Sequence, residues 1–100
     1  MIKVFYMHPK ADVEYFRNHH VSLARKLPGA VHLTMNVAGP APDGTPPPFQ
    51  LVNEMWFETE EDLQRMLNSR ELQEAWADVP NFNPEPSSVV VVYTREEPSW

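Results

Sequence analysis

Four consecutive valines, Val89–Val92, set the strictest condition on how this chain can fold. β-Branched side chains are stiff at χ1 and suit a pleated sheet better than a helix, so the run reads as part of a strand, Ser88–Thr94. Neighbouring strand residues point to opposite faces, which makes this strand apolar on both. The same two-sided character recurs in Ile2–Met7, where Ile2, Val4 and Tyr6 alternate with Phe5 and Met7, and in Gln50–Phe57, where Met55 and Phe57 flank Trp56. A sheet made of such strands needs cover on both of its faces.

The remaining segments supply cover for one face. Asp12 is a good N-cap for a helix over Val13–Leu27, in which Val13, Phe16, Leu23, Ala24 and Leu27 form an apolar stripe, and Pro28-Gly29 ends it. Val31–Val37 reads as a second strand. Ala38–Pro48 contains Gly39, Gly44 and five prolines and reads as an irregular loop. After Gln50–Phe57, Thr59 with Asp62 resembles a capping box for a helix carrying Leu63, Met66 and Leu67, and Ser69 caps a further helical piece with Leu72, Ala75 and Trp76. Ala77–Ser87 reads as a proline-punctuated loop and Arg95–Trp100 as a frayed tail.

The order is βαββαβ, which predicts a ferredoxin-like α+β fold: a single domain over residues 1–100 with an antiparallel four-stranded sheet and helices on one face. So short a chain has no third layer for the bare face. A second copy is the expected cover, giving a homodimeric α/β barrel.

Charge and composition narrow the function classes. The net charge of −6 is spread along the chain, and Arg25-Lys26 is an isolated basic pair, so nucleic acid is not an expected partner. The absence of cysteine excludes disulfides, thiolate metal sites and a thiol nucleophile. No apolar run approaches the ~20 residues of a membrane span, and Lys3 and His8 interrupt the N-terminal apolar stretch too early for a signal peptide. The expected compartment is the cytoplasm, with no membrane contact. Neither a metal-ligand cluster nor a phosphate loop or dinucleotide fingerprint is present, so no cofactor is expected.

His20 is the strongest chemical candidate. It lies inside the apolar stripe of its helix, where an imidazole needs a hydrogen-bond partner or a cavity, and it can exchange a proton near neutrality. Read from the stripe alone, a satisfied core histidine is the commoner outcome. Glu54 and Asn53 interrupt an apolar strand, and one of them must point to each face. A carboxylate in an apolar cavity could act as an acid or base, whereas at a rim Glu54 would simply pair with a cation. Asn36 could donate to a substrate carbonyl or be solvated on an edge strand. His8 could overlook the barrel mouth or serve its turn, and His32 reads as exposed. Tyr6, Met55, Trp56 and Phe82 suit core packing and equally the walls of a small hydrophobic or aromatic ligand site, with Phe82 placed to act as a lid.

The stretches Ile2–Met7, Phe16-Arg-Asn-His-His20-Val-Ser-Leu23, Leu27-Pro-Gly29, Trp56-Phe57 with Thr59-Glu-Glu-Asp62, and Ala77-Asp-Val-Pro-Asn-Phe82 together resemble the EthD family. These are small dimeric α/β-barrel proteins named for a component of ethyl tert-butyl ether degradation, and similar in fold to muconolactone methylisomerases. The family's helix-1 histidine falls on His20. The proline often found two residues later is replaced by Ser22, which sits on the solvent face of the helix and leaves His20 unaffected. The resemblance implies a small catabolic protein. One expectation is a cofactor-independent isomerase, lyase or oxygenase acting on a cyclic or aromatic molecule, with His20 moving a proton and Glu54 or Asn36 assisting. The other is a binding or accessory protein of a degradation pathway that uses the same pocket without turnover.

Overall fold

In the computed structural model, which describes residues 1–97, the strands are β1 (Ile2–His8), β2 (His32–Val37), β3 (Leu51–Phe57) and β4 (Val90–Arg95). They form one antiparallel sheet in the order β2-β3-β1-β4. This is the ferredoxin-like arrangement that the βαββαβ order predicts. Alternation assigns the faces. Ile2, Val4, Tyr6 and His8 of β1 are buried beneath the helices, while Lys3, Phe5 and Met7 on the open face stay half-buried. Register carries this division across the sheet, because Tyr6 lies opposite Asn53 on one side and Val91 on the other. Asn53 therefore belongs to the helix side and Glu54 to the open side.

β1 continues one residue past the expected end. His8 pairs with Leu51, and its carbonyl accepts from the Gln50 N–H at 2.8 Å, before Pro9 ends the ladder. β4 is displaced towards the C-terminus relative to Ser88–Thr94, since Pro86–Ser88 forms a 3₁₀ turn. Arg95 is thus a strand residue opposite Ile2 rather than part of a tail, while 98–100 lie outside the described residues. The segment 38–48 has no helix or strand, in keeping with its glycines and prolines.

The first helical run departs most from expectation. In place of one regular helix over Val13–Leu27 it comprises α1 (Val13–Tyr15), a π turn (Phe16–His20) and α2 (Val21–Ala24). The Val21 N–H reaches the carbonyl of Phe16, five residues back. This wider turn keeps Phe16 and His20 buried while His19 faces outwards. Of the expected stripe, Phe16 and Leu27 are buried, but Val13 and Leu23 are only partly so. Asp12 caps the run as expected, accepting from the Tyr15 N–H at 3.1 Å, and its own N–H donates to the Phe82 carbonyl at 2.7 Å.

α3 (Glu60–Leu67) and α4 (Arg70–Asp78) open on Thr59 and Ser69, whose side-chain oxygens accept from the N–H groups of Asp62 and Leu72. α4 extends to Asp78, beyond the expected start of a loop at Ala77, because Pro80 restricts only its nearest neighbours. A 3₁₀ turn, Val79–Asn81, follows directly. Gly29, at φ 82°, brings the chain under α3, where an added Cβ would stand 3.0 Å from the Asp62 carbonyl. The core divides into two clusters. One joins Val4, Met55, Phe57, Leu63 and Met66; the other joins Ala11, Phe16, Leu51, Val79 and Phe82 beside the π turn.

Candidate functional site

Two buried histidines meet between the sheet and the helices. β1 ends in His8 and the π turn ends in His20, and both line a cavity with Tyr6, Asn53, Leu72 and Trp76. The free volume of this cavity is about 40 Å³, room for a few water molecules. Ala24, Asn53 and Met55 also border a larger groove of about 300 Å³ between the first helical run and the β2–β3 side of the sheet. The walls of the inner cavity are largely apolar and include no Lys or Arg among the described residues.

His20 is oriented by a carboxylate. Its Nδ1 lies 2.9 Å from Oδ2 of Asp78, at the end of α4. A carboxylate can only accept, so Nδ1 carries the hydrogen and the lone pair of the neutral ring is on Nε2. Asp78 is itself fixed through Oδ1, which accepts from the Tyr15 hydroxyl at 2.7 Å and from the Asn81 amide at 2.9 Å. Burial pulls the His20 pKa below the ordinary histidine value, against the opposing pull of Asp78. Burial pushes Asp78 upwards, but the hydrogen bonds from Asn81, His20 and Tyr15 outweigh it and hold the carboxyl below its usual range. The result is a neutral base beside a fixed anion that would stabilise its protonated form.

His8 is held in the opposite sense. Asn83, fully buried, uses Oδ1 to accept from the Glu85 N–H at 2.8 Å, which orients its amide. Its Nδ2 then donates to Nδ1 of His8 at 2.9 Å. Burial, with a further contribution from His20, lowers the His8 pKa to about 4, so the ring is neutral at physiological pH with its hydrogen on Nε2. Phe82 packs behind both rings, with centroids 5.1 Å from His8 and 4.6 Å from His20. It is 2% exposed, and its T-shaped contact with Phe16 makes it an internal wedge rather than the lid expected from its loop position.

The sequence-predicted residues separate into two groups. His20, Tyr6, Met55 and Phe82 lie on the helix side; Tyr6 and Met55 line the cavity, and the Tyr6 ring stands edge-on to Trp76 at 5.9 Å. Glu54, Asn36 and Trp56 lie on the open face, so the sheet separates them from His20. There Glu54 accepts from Thr34 at 2.8 Å, Asn36 at 3.1 Å and the Trp56 indole at 3.3 Å. Lys3 covers the Trp56 ring at 4.4 Å. Burial pushes the Glu54 pKa up, yet those hydrogen bonds and the Lys3 charge outweigh it and hold Glu54 ionised. Neither Glu54 nor Asn36 lines the inner cavity beside His20, although Glu54 borders the adjoining groove.

Asp78, Asn83 and Trp76 were not read from the sequence as site residues, and His8 only as one at a barrel mouth. The available signals were the Asp78-Val-Pro-Asn81 run and the unresolved choice between Asn53 and Glu54, which the register settles in favour of Asn53. Asn53 carries a further mark: its Oδ1 is buried without a hydrogen-bond partner. No helix is long and apolar enough to cross a membrane, and no cluster of metal-ligating side chains occurs among the described residues.

A ferredoxin-like sheet with a histidine-lined cavity under its helices defines the general class, and comparison with known proteins narrows it. The EthD domain profile matches residues 6–85, and the chain belongs to that family. It is 28% identical over 99 residues to an uncharacterized 11.0 kDa protein of the thcB-thcC intergenic region of Rhodococcus erythropolis, covering 96% of this chain and 93% of that one. Among solved structures, an EthD family protein of Bacillus halodurans C-125 superposes with a TM-score of 0.83 at 22% identity, over 97% of this chain and 99% of that one. A dimeric ferredoxin-like protein of unknown function from Thermobifida fusca gives 0.70 at 12% identity, over 95% and 90%. At these identities the structural matches speak for the fold.

Proposed function

We propose that this protein is a cofactor-independent enzyme that moves a proton on a small cyclic or aromatic molecule, with His20 as general base and then acid. The observation that carries this reading is the His20–Asp78 pair at 2.9 Å. It fixes the tautomer, leaves Nε2 as the basic nitrogen at a cavity wall and places a fixed carboxylate behind the imidazolium that proton abstraction creates. The carboxylate is itself held by two further donors, Tyr15 and Asn81, which fixes it against the imidazole. Tyr6, Met55, Leu72 and Trp76 supply apolar and aromatic walls suited to such a substrate. The groove bordered by Ala24, Asn53 and Met55 offers space for the part of the molecule that the inner cavity cannot hold.

The working unit in this reading is a homodimer joined through the open faces of two sheets. Support comes from the apolar residues Phe5, Met7, Val52, Val90 and Val92 on that face. The test of function is solvent-deuterium incorporation into small aromatic ketones, followed by proton NMR. The native protein is expected to accelerate exchange at the carbon next to the carbonyl, and His20→Asn to reduce it by roughly 10²–10⁴-fold. Equal exchange by the two proteins would reject the enzyme reading; binding without exchange would favour a carrier or accessory role.

A further inference from the structure

The space next to His20 divides by size and by charge. An aromatic ring needs a cavity on the order of 150 Å³. The inner cavity, at about 40 Å³, cannot hold one, whereas the adjoining groove, at about 300 Å³, can. Ala24, Asn53 and Met55 border both spaces, and Ala24 brings the smallest side chain to that shared wall. Asn53 adds a donor there, because its Oδ1 is buried and Nδ2 is the end of the amide open to a ligand. Two arginines also border the groove. Arg17, Val21 and Arg25 line it at four-residue spacing along the helical run, about 12 Å from first to last. Neither arginine has a carboxylate partner among the described residues, whereas Arg65 pairs with Asp62 and Arg95 with Glu60. Glu54 borders the same groove, but Thr34, Asn36 and the Trp56 indole already donate to its carboxylate and Lys3 adds a counter-charge.

We propose that the groove binds a carboxylate substituent of the substrate through Arg17 and Arg25, with the ring in the groove and the uncharged reacting end directed past Ala24 towards His20. The proposal rests on the reading of His20 as the base and adds the substrate class: a small aromatic or cyclic acid in its anionic form. Charge decides which way round such a molecule lies. The inner cavity has no Lys or Arg in its walls among the described residues, and Asp78 stands behind His20. A carboxylate turned inwards would lose its water beside a fixed anion, at a cost that nothing there offsets. In the groove the same carboxylate meets guanidinium groups, whose planar donors match its two oxygens, and keeps contact with water. The anion thus selects the orientation in which the neutral end faces the base, so that binding energy remote from the reacting carbon serves to position it. Both arginines are exposed, so their attraction for an anion falls as salt rises.

Two probes of nearly equal size test the charge: 4-acetylbenzoate and 4-acetylbenzamide, which differ in whether the group opposite the acetyl is ionised. Titrations followed by methyl and guanidinium NMR shifts are expected to show the carboxylate binding about tenfold tighter, the effect of a charge-assisted hydrogen bond. The shifts should fall on Val21, Ala24 and Met55. Arg17→Gln and Arg25→Gln should each narrow the preference and the double variant erase it. Sodium chloride at about 1 M, where screening acts within about 3 Å, should erase it as well. Circular dichroism of these surface variants is expected to match that of the native protein. Equal binding of the two probes, no binding of the carboxylate at millimolar concentration, a preference that survives in the double variant, or shifts confined to residues outside the groove would overturn the proposal. The two readings fail separately. A preference that depends on the arginines without deuterium exchange keeps the groove site and removes the base. Exchange that depends on His20 but is equal for both probes and indifferent to Arg17 and Arg25 removes the carboxylate site.

Discussion

At the scale of single residues, opposite tautomers give the two cavity histidines different work. His20 keeps its lone pair for the cavity because Asp78 takes its Nδ1–H, and His8 keeps its N–H because Asn83 occupies its Nδ1. Substituting Asp78 by Asn would allow the amide to donate to Nδ1 and turn the free nitrogen into a donor. Exchange activity is expected to fall at least tenfold in Asp78→Asn while the fold persists, as read by deuterium incorporation and circular dichroism. His20→Leu separates chemistry from packing: a Leu variant with undiminished turnover would reduce His20 to a core residue.

The same burial makes stability depend on pH. The folded His8 pKa of about 4 lies below the 6.5 of an unfolded histidine, so the unfolded chain binds more protons between those values. Stability is therefore full above about pH 6.5 and falls as pH drops towards 4, by roughly 3 kcal/mol for His8. His20, shifted in the same direction, adds to the slope. Asp78 is depressed below the ordinary aspartate value, and its contribution is lost only at lower pH. Urea unfolding across this range should give a rising limb that flattens in His8→Phe; an unchanged slope would place the His8 proton elsewhere.

At the scale of elements, local signals carried most of the information. Thr59 and Ser69 were legible as caps because an N-cap depends on a side chain and an N–H three residues on. Ser69→Ala is expected to destabilise the protein by about 1 kcal/mol in urea titrations with the denaturant slope unchanged. The β-branched runs gave the strands for a similar local reason. The π turn was not legible, since its signature is a hydrogen bond from Val21 to Phe16 that tertiary packing selects and no periodicity announces. The partners of the site were hidden by distance along the chain: Asp78 lies 58 residues from His20 and Asn83 lies 75 from His8. His20 could be singled out as anomalous, but which residue answered it could not be read from spacing. Glu54 attracted the base assignment because a carboxylate within an apolar strand looks functional from either face, and only register shows that it turns away.

At the scale of the whole molecule, strands apolar on both sides leave a sheet with one face covered by helices and one open. Phe5, Met7, Val52 and Val92 remain half-buried there, beside a polar island centred on Glu54. A second sheet would cover this surface, with an interface of at least about 1,600 Å² in total expected for a stable pair. Analytical ultracentrifugation is expected to report a dimer at micromolar concentration, and Val92→Asp to shift it to monomer; a native monomer would refute this assembly. The candidate cavity lies on the other side of the sheet, so the monomeric variant should retain the His20–Asp78 pair even as its stability falls.

His20 stands at the cavity as a neutral base with its hydrogen on Nδ1. Long-range nitrogen–proton correlation spectra of the imidazoles at pH 7 measure this directly. His20 is expected to show an Nδ1–H tautomer that is lost in Asp78→Asn, and His8 an Nε2–H tautomer. An Nε2–H tautomer or a fully protonated ring at His20 would contradict it.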